Sequence, residues 1–261
     1  MKSIDRRKKI LELVNSHGEI KIKEISKILN NEREDRIRRD VRILSDMGLL
    51  AAVYGGVKSK DRVSHIGDLY FGECENSETK KLIAQEALKF INEGSSIFLG
   101  AGTTVFKLAE LLYEKDIKLD IITVSLPAAA LLSKKKNYNV ILLGGQLVRE
   151  NYSFEGQLIP EVVKYYVINK AFIGMRGFNI THGFTIPTIE QALTAKAVAN
   201  LSDEVIVLVD SSKFSKHCLI NVATFEDEIF KNKIRKVITD KDIDSKYVDR
   251  LKKENIEVLI K

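Results

Sequence analysis

Cysteine and histidine are scarce in this chain: 261 residues include two cysteines, Cys74 and Cys218, and four histidines, His17, His65, His182 and His217. The cysteines lie far apart and the histidines show no zinc-type spacing, so no metal site and no disulfide is expected. Long apolar runs are missing too. No stretch approaches the roughly 18 uninterrupted apolar residues of a membrane-spanning helix, which argues against a membrane protein. The basic start, Met1 to Lys9, leads into an amphipathic segment rather than the apolar core of a signal peptide, so a cytoplasmic chain is expected. With 44% hydrophobic and 30% charged residues, the composition is that of a globular protein with a real core and excludes a mostly disordered chain.

The formal net charge of +6 is unevenly spread: residues 1–64 hold 16 Lys or Arg against 10 Asp or Glu, whereas residues 65–261 hold 26 of each. All the excess therefore lies in one quarter of the chain. Such a basic module is suited to a polyanion, because neutralising DNA phosphates releases condensed counterions. A membrane surface is the competing anionic partner.

Helical spacing of Ile10, Leu13 and Val14, with Gly18 beyond as a left-handed stop, predicts a first helix from Asp5 to Ser16. Glu19 to Ile22 reads as a minimal strand, and Ile22, Ile25 and Leu29 predict a short second helix. A third helix is predicted from Glu34 to Met47, with Ile37, Val41 and Leu44 forming its apolar stripe and Gly48 ending it. Arg36, Arg38, Arg39 and Arg42 project from the arc away from that stripe. Guanidinium forks match phosphate oxygens and the guanine O6/N7 pair, and a major groove about 12 Å wide admits a whole helix. Leu49 to Tyr54 then reads as a strand, with Gly55-Gly56 turning the chain toward Val57 and Lys58. Four arginines on one helix usually form only a solvated face. Here the preceding elements, the local charge and the glycine-tipped hairpin make up a winged helix-turn-helix, so double-stranded DNA is the expected partner, met by the arginines together with Tyr54 and Lys58.

The stretches Arg6 to Ile10, Ile37-Arg38-Arg39-Asp40-Val41, Gly48-Leu49-Leu50 and Tyr54-Gly55-Gly56-Val57 resemble the DeoR family of bacterial regulators of sugar catabolism. Arg36 stands where that family usually has threonine.

Residues 58–78 are polar and without strong period, so they read as a linker between a DNA-binding domain (1–57) and a larger domain (79–261), with an apolar patch at Leu69 to Phe71. From Thr79 onward helices and strands alternate. Helices are predicted at Thr79 to Phe90, Thr104 to Tyr113, Pro127 to Ser133 and Ile189 to Leu201. Strands are predicted at Ile97 to Leu99, Ile121 to Val124, Val140 to Leu143, Lys170 to Gly174 and Val205 to Asp210, and two late strands, Val237 to Thr239 and Ile256 to Ile260, flank a last helix. Near-continuous apolar strands such as Val205 to Val209 suit a sheet covered on both faces, so the fold class is α/β, a mainly parallel α/β sandwich.

Ligands in such sheets bind beyond the carboxyl ends of the strands. There Gly100-Ala101-Gly102-Thr103-Thr104 joins a strand to a helix, and its amides, two hydroxyls and helix dipole can cradle a phosphate. It is no P-loop, since no Lys-Ser/Thr pair closes it. It also fails the dinucleotide fingerprint, since Val105 stands where the third glycine belongs, and no cofactor is expected. The competing reading is a glycine turn that only shapes the backbone. Ser125, Gly145, Arg176 and Lys213 are further loop candidates for an anion-friendly effector site built around Gly102, Thr103 and Thr104.

Gly102-Thr103-Thr104, Gly144-Gly145, Phe172-Ile173-Gly174, Gly183-Phe184-Thr185 and Asp210-Ser211-Ser212-Lys213-Phe214 extend the DeoR resemblance over nearly the whole chain. The resemblance implies an effector domain similar in fold to ribose-5-phosphate isomerase, a phosphorylated sugar as effector with its phosphate near Thr103 and Thr104, lowered operator affinity on binding, and a homo-oligomer. Gly100, Val124, Arg176 and Gln191 occupy positions where the family commonly has Asp, Asn, Asp and Glu, which changes the hydroxyls such a site would recognise. Glu190, Asp210 and Lys213 are the groups an isomerase reading would nominate. With Arg176 and Gln191 in place of carboxylates, and a DNA-binding module attached, no catalytic residue and no enzyme is expected. The alternative to a sensor is a regulator whose pocket is vestigial and whose large domain serves only oligomerisation.

Overall fold

The computed structural model describes residues 3–30, 32–46, 50–59 and 76–261, and the chain divides into two compact units, 1–65 and 66–261. The first unit runs α1 (Ser3–His17), β1 (Glu19–Lys21), α2 (Ile22–Ile28), α3 (Glu34–Asp46), β2 (Leu50–Val53) and β3 (Gly56–Ser59). Its small antiparallel sheet has the order β1-β3-β2. The apolar stripes read from the spacing converge: Ile10 and Val14 of α1, Ile25 of α2 and Ile37, Val41 and Leu44 of α3 are all buried in one cluster. Gly55 has φ +75, a left-handed turn that glycine reaches without strain. A Cβ on Gly56 would stand 2.9 Å from the Ile20 carbonyl oxygen, so the wing closes onto β1 only because nothing projects there. Gly48, assigned the end of the third helix, lies outside the described residues, as do Cys74 and the Leu69 to Phe71 patch.

The second unit is built on seven strands, all parallel, in the order β15-β14-β12-β9-β4-β5-β6. These strands are β4 (Ser96–Leu99), β5 (Leu119–Thr123), β6 (Tyr138–Leu142), β9 (Ile168–Gly174), β12 (Ser202–Leu208), β14 (Ile234–Thr239) and β15 (Glu257–Ile260). Consecutive residues of a strand face opposite sides. Val205, Ile206, Val207 and Leu208 are all buried, so both faces of the sheet are covered. The covering helices include α4 (Ser77–Leu88), α5 (Thr103–Tyr113), α6 (Leu126–Leu132), α7 (Ile159–Val163), α8 (Ile189–Leu201), α9 (Glu228–Asn232) and α10 (Ser245–Lys253). The expected late strand, helix and strand are β14, α10 and β15.

Both ends of the stretch read as a linker are regular structure, since β3 runs through Ser59 and α4 starts at Ser77. The βα pattern also left out a hairpin, β7 (Gln146–Val148) with β8 (Ser153–Glu155), and a second antiparallel sheet of β10 (Gly177–Asn179), β11 (Gly183–Ile186) and β13 (Ile220–Ala223). An aromatic cluster fixes that second sheet in place. The Phe178 ring centroid lies 4.7 Å from Phe184, 5.4 Å from Phe214 and 6.1 Å from Tyr247, within the range of favourable tilted and edge-on contacts.

Candidate DNA interface and ligand cavity

In the first unit the arginines of α3 are all exposed but differ in what surrounds them. Arg36 pairs with Glu32 at 3.1 Å and Arg38 with Glu34 at 3.6 Å. Arg39 and Arg42 carry no ion pair among the described residues. Tyr54 stands fully exposed at the hairpin tip and Lys58 is exposed on β3, in register with Glu19 and Ala51. Asp40, in the middle of the arginine motif, faces inward instead. It is 2% exposed and accepts from Arg6 Nε at 2.6 Å and Arg7 Nε at 2.8 Å, which locks α3 to α1. Neutral residues could pack the same space, so the pair specifies orientation more surely than it stabilises. Glu32 joins this network through Arg6 at 3.7 Å. Desolvation works against its ionised form, yet the hydrogen bond from Arg36 and the charges of Arg6 and Arg36 outweigh it and hold the carboxyl below its ordinary value.

In the second unit a cavity of about 690 Å³ opens at the carboxyl edge of the sheet. Gly102 has φ +110 and ψ 160, a conformation other residues reach only with strain, and it caps α5 with no side-chain hydrogen bond. The first-turn amides of α5, beside Thr103 and Thr104, therefore receive no side-chain cap from this position. Lys213 reaches the cavity from a single 3-10 turn, Ser211–Lys213, that follows β12. Two buried aspartates shape that turn: Asp210 accepts from the Ser212 amide at 3.1 Å and from its hydroxyl, and Asp240, at the end of β14, accepts from the Ser211 amide at 2.6 Å. Phe214 then anchors the turn in the aromatic cluster. Arg176 lines the cavity from the β9–β10 loop, next to Gly177, where a Cβ would come 2.7 Å from the Lys216 carbonyl oxygen.

Gly102, Thr103, Thr104, Arg176 and Lys213 thus share one cavity, and Ser125 and Gly145 are not among its lining residues. Ser125 is the N-cap of α6 and accepts from the Ala128 amide. Gly145 meets the Glu155 carbonyl so closely that no side chain fits between them. The four positions that depart from the expected pattern, Gly100, Val124, Arg176 and Gln191, all line the cavity. So do Lys80, Asn151, Glu155 and Thr188, which no local sequence signal singled out.

Comparison with known proteins agrees with both units. The DeoR-like helix-turn-helix domain matches residues 6–63 and the DeoR C terminal sensor domain matches residues 75–241. The chain belongs to the DeoR family. It is a DNA-binding transcriptional regulator with a helix-turn-helix and a sensor domain. Family relatives include the uncharacterized HTH-type transcriptional regulator YulB of Bacillus subtilis, 34% identical over 97% of this chain and 95% of its own length. The lactose phosphotransferase system repressor of Staphylococcus epidermidis is 33% identical over 83% of this chain and 86% of its own. Among solved structures, ribose 5-phosphate isomerase A of Methanocaldococcus jannaschii aligns over 54% of this chain and 56% of its own, with 24% identity and a TM-score of 0.40. No helix among the described residues of this DeoR-family chain is long and apolar enough to cross a membrane.

Proposed function

We propose that this regulator represses sugar-metabolism genes, and that a small phosphorylated sugar bound in the sensor cavity lowers its affinity for the operator. One observation carries the reading: the uncapped N-terminus of α5, with Thr103 and Thr104, opens into the same cavity as Lys213 and Arg176. That combination suits a phosphate ester, because amide donors and a helix dipole act on an anion together with cationic side chains. A cavity of about 690 Å³ is of the size that small ligands occupy. On the DNA side α3 enters the major groove with Arg36, Arg38, Arg39 and Arg42, while Tyr54 and Lys58 of the wing meet the backbone beside it. The protein acts as a homo-oligomer on a repeated or palindromic operator, and the ligand shifts its population toward an arrangement that fits the operator less well. The isomerase reading is the weaker one: Gln191 and Arg176 are not bases, and of the groups it nominates Asp210 and Lys213 line the cavity but Glu190 is not among the lining residues.

The test is titration of the protein onto DNA upstream of its own gene, with and without a panel of sugar phosphates, alongside thermal unfolding. A ligand present at 100 times its Kd stabilises the folded state by about 2.7 kcal/mol. Release of DNA by at least one ester, with matching stabilisation, is the expected result. Operator binding that no ester alters or stabilises would leave oligomerisation as the role of this unit.

A further inference from the structure

Glu155 is a buried carboxylate that the proposed function does not use. It is 7% exposed, lines the cavity, and sits at the end of β8 in the hairpin that packs beside β5. That hairpin is fixed by backbone bonds from Phe154 N to Val124 O at 2.8 Å and from Leu126 N to Tyr152 O at 3.0 Å, so the carboxylate rides on a rigid element. Its Oε2 accepts from the Thr188 hydroxyl at 2.8 Å and its Oε1 accepts from the Gln191 side-chain amide. Thr188 also accepts from the Gln191 backbone amide at 3.3 Å, which commits its own proton to Glu155.

A carboxylate offers about four acceptor sites, and here two are spent, both on neutral donors. Arg176 and Lys213 line the same cavity, yet neither forms an ion pair with Glu155 among the described residues. Buried charge without a counter-ion is costly unless further donors complete its shell. The open side of Glu155 is the cavity, where Asn151 and Glu150 of the same hairpin also lie.

We infer that Glu155 is a specificity-determining residue of the sensor: it selects phosphate esters whose far end carries hydrogen-bond donors, hydroxyl or ammonium, and rejects those that end in a carboxylate. The inference rests on the proposed reading that the cavity takes a phosphate ester. A donor end completes the acceptor shell of Glu155. An acid end meets Glu155 and Glu150 with like charge, and a site built around acceptors discriminates strongly against a ligand that cannot donate to them.

Thermal unfolding of the full chain tests this with esters of matched carbon skeleton: glucose 6-phosphate, glucosamine 6-phosphate and 6-phosphogluconate, and the five-carbon pair ribose 5-phosphate and 5-phosphoribonate, beside inorganic phosphate. In the native chain the neutral or amino ester of a series is expected to bind at least about tenfold more tightly than the acid, and comparison of those two arms tells hydroxyl from ammonium recognition. In Glu155→Gln, which keeps the shape and one acceptor, the preference should narrow to within about threefold, with the acid gaining affinity in absolute terms. A merely structural Glu155 would lower the melting temperature and leave the ranking unchanged, which overturns the inference. Equal binding of acid and neutral esters by the native chain overturns it without any variant. If inorganic phosphate stabilises the chain and no ester improves on it, the selection by Glu155 fails while the anion site stands. If neither phosphate nor any ester stabilises it, the proposed function fails first.

Discussion

The two pairs of arginines on α3 should contribute unequally to DNA binding, and salt dependence can separate them. Each phosphate neutralised by a side chain adds about 0.9 to the slope of log affinity against log salt. Arg39 and Arg42 carry no ion pair among the described residues, so both charges are available to phosphates. Replacing both with alanine should flatten the slope by about 1.8, which over a fourfold change in salt is about a tenfold smaller loss of affinity. Arg36 and Arg38 begin in ion pairs with Glu32 and Glu34, at 3.1 and 3.6 Å, and part of their charge is compensated before DNA arrives. The Arg36→Ala, Arg38→Ala double variant should flatten the slope by less than about 1. Fluorescence anisotropy on one operator fragment at 50 to 200 mM salt, on the order of the range where such slopes are read, gives both numbers. Equal flattening by the two pairs, or a larger effect from Arg36 and Arg38, would refute the reasoning.

Asp40→Ala should cost the N-terminal unit up to about 3 kcal/mol, because it removes the buried carboxylate that accepts from both Arg6 and Arg7 while Glu32 stays beside Arg6, and chemical unfolding monitored on that unit reads it. Glu32 has its carboxyl held below the ordinary value of 4.5, so its contribution to stability is fully present above that pH and is lost as pH falls through the lowered value; acid unfolding of Glu32→Gln should lack that component. Burial first, and then the charge of Asp116, push the Tyr138 phenol up to about 12. Its contribution should hold below pH 10 and fall as pH rises toward 12, an alkaline loss that Tyr138→Phe removes at a cost of about 0.5–1.5 kcal/mol for the hydroxyl that donates to Leu112. Asp240→Ala should release the turn that presents Lys213 and weaken phosphate-ester stabilisation, whereas Asp240→Asn, which keeps an acceptor for the Ser211 amide, should retain most of it.

What the sequence made legible was whatever repeats or turns locally. The α3 stripe, the paired glycines of the wing and the apolar run of β12 each announce themselves within ten residues or so, and the loop at Gly102 advertises a turn suited to glycine through residue type alone. The hairpin that carries Glu155 has strands of only three residues, too short for alternation to show. The partners that define Glu155 stand 33 and 36 residues further on. Asp40 likewise acquires its meaning from Arg6 and Arg7, 34 and 33 residues earlier, where one helix packs on another. Ser125 shows the converse difficulty: a serine at a strand end reads equally as a ligand contact or a helix cap, and only the Ala128 amide tells them apart.

Seven strands running the same way end on the same rim, and that geometry bears on how such regulators diverge. Each loop at the rim is tethered by its own strand and returns through its own connection, so one can be exchanged without shifting the register of its neighbours. Arg176, Lys213 and the Gly100 to Thr104 turn sit on three different loops of this kind. A lineage can therefore retune what its sensor responds to one loop at a time, while the frame beneath keeps folding as before.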